Sequence, residues 1–425
     1  MNLLLKHAIV NQQSTIKITG SKSETNRLLL LQALYPNITL ENTSNSDDSQ
    51  VMIQALKSQD ALIDVHHAGT TMRFLTAFFA IQEGREVTLT GSNRMKERPI
   101  KILVDALRQL GAEIGYEEKD GFPPLKIIGK KLTQNKVSLP ANVSSQYISA
   151  LLLIAPKLEN GLELTLEGEI TSIPYIKMTL ALLNEIGVKT SFVNNKVHVN
   201  RQPTTNNRQP ITIESDWSSA SYFYSIIALS QIGTQITLSS YKQNSLQGDS
   251  VLEEIYKDFG VETTFTDNTI LIKKVNNYQL STVNYQLNNA PDIAQTIAVT
   301  CFGLGIGCHL TGLHTLKIKE TDRLQALKNE LEKLGANVTI SNDSLILKTY
   351  SPPLEGCPQG GVVEISTYQD HRMAMAFAPL ALKTSLIIED AEVVSKSYPT
   401  FWDDLKTIGF RFAPFGEASG QIETH

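Results

Sequence analysis

Five glycines, Gly111, Gly187, Gly260, Gly335 and Gly409, fall 76, 73, 75 and 74 residues apart, and each closes a stretch of the same grammar. "LVDALRQLGAEIGYE", "TLALLNEIGVKTSFV", "VLEEIYKDFGVETTF" and "RLQALKNELEKLGANVTI" each show a helical apolar period, a glycine at the helix end and then strand alternation; "TFWDDLKTIGFRF" adds a fifth copy. After four of the glycines a turn pair separates two strands: Asp120-Gly121, Asn194-Asn195, Asp267-Asn268 and Asn342-Asp343. Upstream strands such as "GLELTLEGEI" and "TQITLSS", each followed by an apolar helix, complete a unit of the form βαβαββ. Over 425 residues this period predicts six units, arranged as two α/β domains of three.

Where the domains divide is read from polarity. "NRQPTTNNRQP", Asn200 to Pro210, is polar and proline-bearing, as a linker is. The polar "ITGSKSETN" near the start is a second candidate, which would assign the first strands to the C-terminal half; a simple loop is the other reading of it.

A net charge of −5, with 38 Lys and Arg spread along the chain, lacks the basic stripe of a nucleic-acid-binding surface but is compatible with small anionic ligands. No apolar run reaches the roughly 18 residues of a spanning helix, and Met1 to Val10 lacks the order of a signal peptide, so a cytoplasmic enzyme is expected. Cys301, Cys308 and Cys357 are too few and too irregular for a disulfide framework and read as packed thiols.

Four apolar helices carry cations where their positive ends should repel them. "GSKSETNRLLLLQAL" places Lys22, Ser23 and Arg27 at one helix head, and "HHAGTTMRFLTAFFA" places Gly69, Thr70 and Arg73 at another. "KIKETDRLQALKNEL" brings Lys319, Glu320 and Arg323, and "STYQDHRMAMAFAPLAL" brings Asp370, His371 and Arg372. A cation is favourable there when an anion lies between it and the free backbone N–H groups, so the set points to a ligand with several negative charges. Taken singly, each is more often a snorkelling arginine or a local ion pair; it is the set of four that favours the ligand.

Other chemistries find little support. "GSKS" fails the phosphate-loop pattern because no glycine precedes Gly20 at the required spacing. Cys308, His309 and His314 in "CHLTGLHTL" alternate as a strand and turn do, so no metal is assigned. No Cys-His or Ser-His-Asp order stands out for covalent catalysis.

The ordered set GSKSETNR, AGTTMR, RMKERP, SSQY, SIPY, SDWSSASY, PDIAQT, KETDR, QDHRMAM and SKSYP resembles the 5-enolpyruvylshikimate-3-phosphate synthase family over essentially the whole chain. The resemblance implies the two-domain enolpyruvyl transferase fold, each domain three βαβαββ repeats, with the active site in the interdomain cleft. The chain would begin in one domain, build the other and return, giving residues 1–19 with 215–425 as one domain and 20–214 as the other. It also implies transfer of the enolpyruvyl group of phosphoenolpyruvate to the 5-hydroxyl of shikimate 3-phosphate, with release of phosphate and no metal or organic cofactor. A monomer without nucleic-acid or membrane partners is expected.

By the same resemblance, Lys22, Gly69, Arg98, Gln146, Arg323, Arg372 and Lys396 surround phosphoenolpyruvate. Lys22, Ser23, Arg27, Ser144, Ser145, Gln146, Ser172, Tyr175, Asp292 and Lys319 hold shikimate 3-phosphate. Asp292 is the expected base for the 5-hydroxyl, and Glu320, with Lys22 near it, moves the proton at C3 of the enol. On the residues alone, the favoured readings are Asp292 as a helix N-cap and Glu320 as an ordinary partner of Arg323. The family inhibitor glyphosate occupies the phosphoenolpyruvate site, and a glycine at the position of Gly69 goes with sensitivity to it. Three residues depart from the family pattern: His67, where asparagine is usual, Phe74 after Arg73, and Thr315 ahead of KETDR. Two rivals are a UDP-N-acetylglucosamine enolpyruvyl transferase, which generally carries a cysteine in the loop matching "GSNRMKERP", and a non-catalytic repeat scaffold that binds anions. That loop has no cysteine here.

Overall fold

In the computed structural model, which describes residues 1–142, 144–168, 170, 173–202, 204, 209–277, 280–348 and 362–415, every repeat glycine ends its helix in the left-handed region. Their φ values run from 75° at Gly260 to 111° at Gly409. At Gly260 a side chain is doubly excluded, because a Cβ would lie 2.1 Å from the Asn276 carbonyl oxygen. Beyond the glycines the alternating segments form antiparallel hairpins. Thr190–Val193 pairs with Lys196–Val199 through Asn194 and Asn195, both at positive φ, and Val261–Thr266 pairs with Thr269–Lys274 through Asp267 at φ 51°.

The chain divides into two compact units. One comprises Met1–Ile18, Ser215–Ser245 and the chain from Asp249 on; the other comprises Thr19–Glu214 with Leu246–Gly248. The segment from Asn200 that composition marked as a linker belongs to the second unit. There Gln202 N donates to Pro156 O at 2.8 Å, and Ile211–Thr212 pairs in parallel with Leu40–Glu41, so the described residues at either end of it are tied into that unit.

The first unit contains three four-stranded sheets among the described residues, and the second contains two. Each joins one parallel pair to two antiparallel pairs, which is what a βαβαββ unit produces: the crossover helix allows the parallel pair and the tight turn the hairpin. Among the described residues the third sheet of the second unit is the two-stranded pair Leu40–Glu41 with Ile211–Thr212. The sixth repeat is therefore reduced. The chain start completes sheets of the returning half: Asn2–Lys6 is a central strand between Leu386–Ile388 and Arg411–Phe415, and Gln13–Ile16 lies beside Gln235–Ser239.

Each unit has its own apolar core. Three nearly all-buried helices lie in each: Lys22–Leu34, Gly69–Ala80 and Ser145–Ile154 in the second, and Trp217–Leu229, Ala294–Leu304 and His371–Phe377 in the first. In the first unit they meet partly through hydroxyls one repeat apart. Ser221 Oγ lies 3.0 Å from Thr296 Oγ1, and Thr300 Oγ1 donates to Ser225 Oγ at 2.8 Å. "CHLTGLHTL" enters as the strand Gly307–Thr311, with Cys308 buried on its inner face.

Candidate active site

The helix heads of each unit gather the residues singled out from the sequence. In the second unit, Lys22 begins the helix Lys22–Leu34, and its ammonium lies 3.6 Å from the Asp48 carboxylate. Asp48 is also 4.0 Å from His67 Nε2, so the His67 departure sits beside a candidate lysine. Gly69 begins the helix Gly69–Ala80 with the Arg98 guanidinium against it: a Cβ at Gly69 would fall 2.5 Å from Arg98 Nη1. Gln146 Nε2 donates to Thr70 Oγ1 at 3.0 Å. Ser144 caps the helix Ser145–Ile154, its hydroxyl accepting from Gln146 N. Ser172 lies outside the described residues, and Tyr175 stands in the first turn of Ile173–Glu185.

Arg27 and Arg73 are buried, and both donate to the carbonyl four residues earlier, of Ser23 and of Gly69. Arg27 also donates to Thr179 Oγ1 and Ser149 Oγ, and its guanidinium lies over the rings of Phe74 and Tyr175. Phe74 is therefore a buried platform for a cation, 5.5 Å away. Arg73 Nη2 and Tyr147 Oη both donate to Pro99 O. This corrects the reading of Arg73 as a ligand-facing cation: it fastens the 92–99 segment to the helix that begins at Gly69. Burial lowers the pKa of both arginines to about 10, which still leaves them charged at neutral pH.

The first unit holds a denser cluster. Asp292 lies in the short turn Pro291–Ile293, and the helix that follows is capped by Ile293 without a side-chain bond, so Asp292 is not an N-cap. Its carboxylate receives Arg323 Nη1 at 2.8 Å, Arg372 Nη2 at 3.2 Å and Lys319 Nζ at 3.5 Å. Burial works to raise its pKa, but the charges of Arg372, Lys319 and Arg323 outweigh burial and hold the carboxyl well below the usual range. Arg323, 2% exposed, also donates to Glu320 Oε2 at 2.7 Å and to Asp370 Oδ2 at 2.6 Å. Glu320 is thus an ion-pair partner of Arg323 as well as a candidate acid.

Asp370, fully buried, caps the helix His371–Phe377 by accepting from Arg372 N at 2.8 Å. The cation at that positive helix end is balanced by carboxylates, chiefly Asp292, and its pKa is raised well above normal despite burial. Arg372 Nε is nevertheless buried without a partner among the described residues, an open donor. Lys396 donates to Gln369 O at 2.7 Å, in a loop where Tyr368 and Gln369 both have positive φ. The Thr315 hydroxyl is buried without a partner among the described residues.

Sequence reasoning missed four carboxylate or hydroxyl groups: Asp48 beside Lys22, Asp370 as a partner of Arg323, and Ser218 with Asp249. Arg372 Nη2 donates to Ser218 Oγ at 3.3 Å, and Ser218 Oγ donates to Asp249 Oδ2. The signal was present in "SDWSSASY" and "QGDS", but only the fold brings them to Arg372.

Comparison with known proteins identifies the family. A family model described as EPSP synthase (3-phosphoshikimate 1-carboxyvinyltransferase) matches residues 56–405. The chain is 47% identical over 401 residues to a 3-phosphoshikimate 1-carboxyvinyltransferase of Bacteroides fragilis, covering 94% of this chain and 96% of that protein. It is 36% identical to the Haemophilus influenzae protein of the same name, covering 93% and 96%. Among solved structures, an EPSP synthase from Acinetobacter baumannii superposes with a TM-score of 0.77 at 20% identity, covering 97% of this chain and all of that one, which shows the shared fold. With the family model spanning most of its length, and these relatives matching nearly all of it, the chain belongs to the EPSP synthase (3-phosphoshikimate 1-carboxyvinyltransferase) family.

Proposed function

We propose that this chain transfers the enolpyruvyl group of phosphoenolpyruvate to the 5-hydroxyl of shikimate 3-phosphate and releases phosphate, a step of the shikimate pathway to aromatic amino acids. The observation that carries the reading is Asp292, a buried carboxylate kept ionised among Lys319, Arg323 and Arg372 in a chain of this family. A non-catalytic anion binder has no need of a carboxylate that competes with the ligand for three cations.

The roles follow from chemistry. Lys22, Arg98, Arg323, Arg372 and Lys396 receive the carboxylate and phosphate of phosphoenolpyruvate, with Gln146 as a further donor and Gly69 leaving room for close approach. Ser23, Arg27, Ser144, Ser145, Gln146, Ser172, Tyr175 and Lys319 hold shikimate 3-phosphate through charge-assisted bonds to phosphate and hydroxyl bonds to the ring. Asp292 accepts the 5-hydroxyl proton as that oxygen attacks C2. Glu320, with Lys22, delivers a proton to C3 and later removes one as the tetrahedral adduct expels phosphate.

A carboxylate held so low is a weak base. Substrate anions correct this, because each cation they engage no longer stabilises Asp292, and its basicity rises when the substrates are in place. The enzyme is read as a cytoplasmic monomer that needs no nucleic acid; among the described residues no helix is long and apolar enough to cross a membrane. Sedimentation tests the monomer.

The deciding experiment incubates the purified chain with phosphoenolpyruvate and either shikimate 3-phosphate or UDP-N-acetylglucosamine and measures phosphate release. Release with the first acceptor alone is expected. Release only with the second, or with neither, overturns the assignment.

A further inference from the structure

Ser218 and Asp249 have no part in the reaction just described, yet they are built into the surroundings of Arg372. The guanidinium Nη2 stands between Asp292 Oδ2 at 3.2 Å and Ser218 Oγ at 3.3 Å. Ser218 gives its single proton to Asp249 Oδ2, so its lone pairs face the arginine. Asp249 is 6% exposed, in the turn Gly248–Val251. The charged groups acting on it are Asp292 from the turn Pro291–Ile293, Arg372 from the helix His371–Phe377, and Asp216 from the cap of Trp217–Leu229; Ser218 is its hydrogen-bond donor.

One buried cation thus serves two carboxylates, one by direct contact and one across a hydroxyl. An anion placed on the open Arg372 Nε adds negative charge to a cluster with little water to screen it. The carboxylate least held by cations is the one to be neutralised. Among the described residues Asp292 contacts three cations, whereas Arg372 is the cation acting on Asp249, with Ser218 hydrogen-bonded between them.

We propose that Asp249 is a positioning residue for Arg372, acting through Ser218, and that it takes up a proton from solvent when an anionic substrate group seats on that arginine. The inference rests on the functional reading above, in which the anion belongs to phosphoenolpyruvate. Burial, reinforced by the Asp292 charge, already pushes the Asp249 carboxyl up to about 7, so the group is poised to change state. A further negative charge nearby raises it again, and by linkage binding then draws in a proton.

The test is calorimetric titration of glyphosate into the protein saturated with shikimate 3-phosphate, at pH 7.5, in buffers of different ionisation enthalpy. The wild type is expected to take up several tenths of a proton more than Asp249→Asn, while any proton exchange by the ligand is common to both. Ser218→Ala keeps the carboxyl but removes a bond that favours its ionised form. The pH at which the KM for phosphoenolpyruvate changes should then move upward, with kcat within about threefold of wild type. Equal proton counts in wild type and Asp249→Asn overturn the proposal, as does an unmoved pH profile in Ser218→Ala. If phosphate release from the normal substrates persists in either case, the functional assignment stands without it; if the wild type binds neither ligand, both fall.

Discussion

Arg323 donates to three carboxylates, Asp292, Glu320 and Asp370, which lie 31, 3 and 47 positions away in the chain. Only Glu320 is visible as its partner from local spacing. The helix-head rule therefore found the cations but not most of the acids that balance them, and it misassigned Arg73, which donates to the carbonyls of Gly69 and Pro99 and to Met95 Sδ. The ion pairs separate two roles by experiment. Asp292→Asn should lower kcat by about 10²–10⁴, while affinity for both phosphate-bearing substrates holds or improves, because three cations lose a competitor. Arg372→Ala should instead raise the KM for phosphoenolpyruvate, by about 1.5–3 kcal/mol of lost binding. Steady-state kinetics on both variants check this, and parallel losses in every parameter would mean the roles are wrong. Gly69 makes a different demand. Alanine there pushes the Arg98 guanidinium aside, so Gly69→Ala should weaken glyphosate markedly more than phosphoenolpyruvate, with inhibition competitive in both proteins. Inhibition curves at several phosphoenolpyruvate concentrations decide it; a wild type indifferent to millimolar glyphosate would overturn it.

Among the elements, the helix ends were legible because one residue type marks them: all five repeat glycines are left-handed. The reduced sheet was not, since Leu40–Glu41 is two residues long and its partner Ile211–Thr212 comes from the far side of the unit's sequence. Nor was the device at the end of Trp217–Leu229. There Lys274, buried at 2% exposure, donates to Ala228 O at 2.9 Å and to Phe259 O at 2.6 Å, joining two helix ends. Burial, with Lys383 adding repulsion, lowers its pKa to about 8. The folded value lies below the unfolded one, so folding disfavours the proton. This group's contribution to stability grows as pH rises through 8 and is complete above the unfolded value of 10.5. Urea unfolding at pH 7.5 and 9.5 should show a wild-type gain of about 1–3 kcal/mol that Lys274→Met lacks. The same gain in both would assign it to other groups.

At the scale of the whole molecule, the period of about 75 residues reveals how many repeats there are but not how the chain is threaded, because a repeat pattern is indifferent to which strand closes which sheet. The threading has a consequence for truncation. Residues 1–18 supply the central strand Asn2–Lys6 and the core residues Leu3, Leu5, Ile16 and Ile18 of the first unit. Expressed alone, residues 215–425 should fail to give a cooperative urea transition, whereas residues 19–214, nearly the complete second unit, should give one. Linking 1–18 after residue 425 of the fragment should restore the first. A cooperative transition in 215–425 without that strand would show that the sheet closes by other means.

Glu330 gives the cation cluster a property that contact distances alone do not convey. Its fully buried carboxylate accepts from Ser366 N at 3.1 Å and Tyr368 Oη at 2.6 Å, tying the helix Arg323–Lys333 to the loop that feeds His371–Phe377. With Arg323 also bonded to Asp370, the two arginine-bearing helices are fastened to each other at two points. Tyr368 and Gln369 hold left-handed backbone within that brace, at a cost of order 1–3 kcal/mol each that only a stiff surrounding can sustain. Arginines braced in this way have already given up in folding the rotational freedom that flexible ones would surrender on binding an anion.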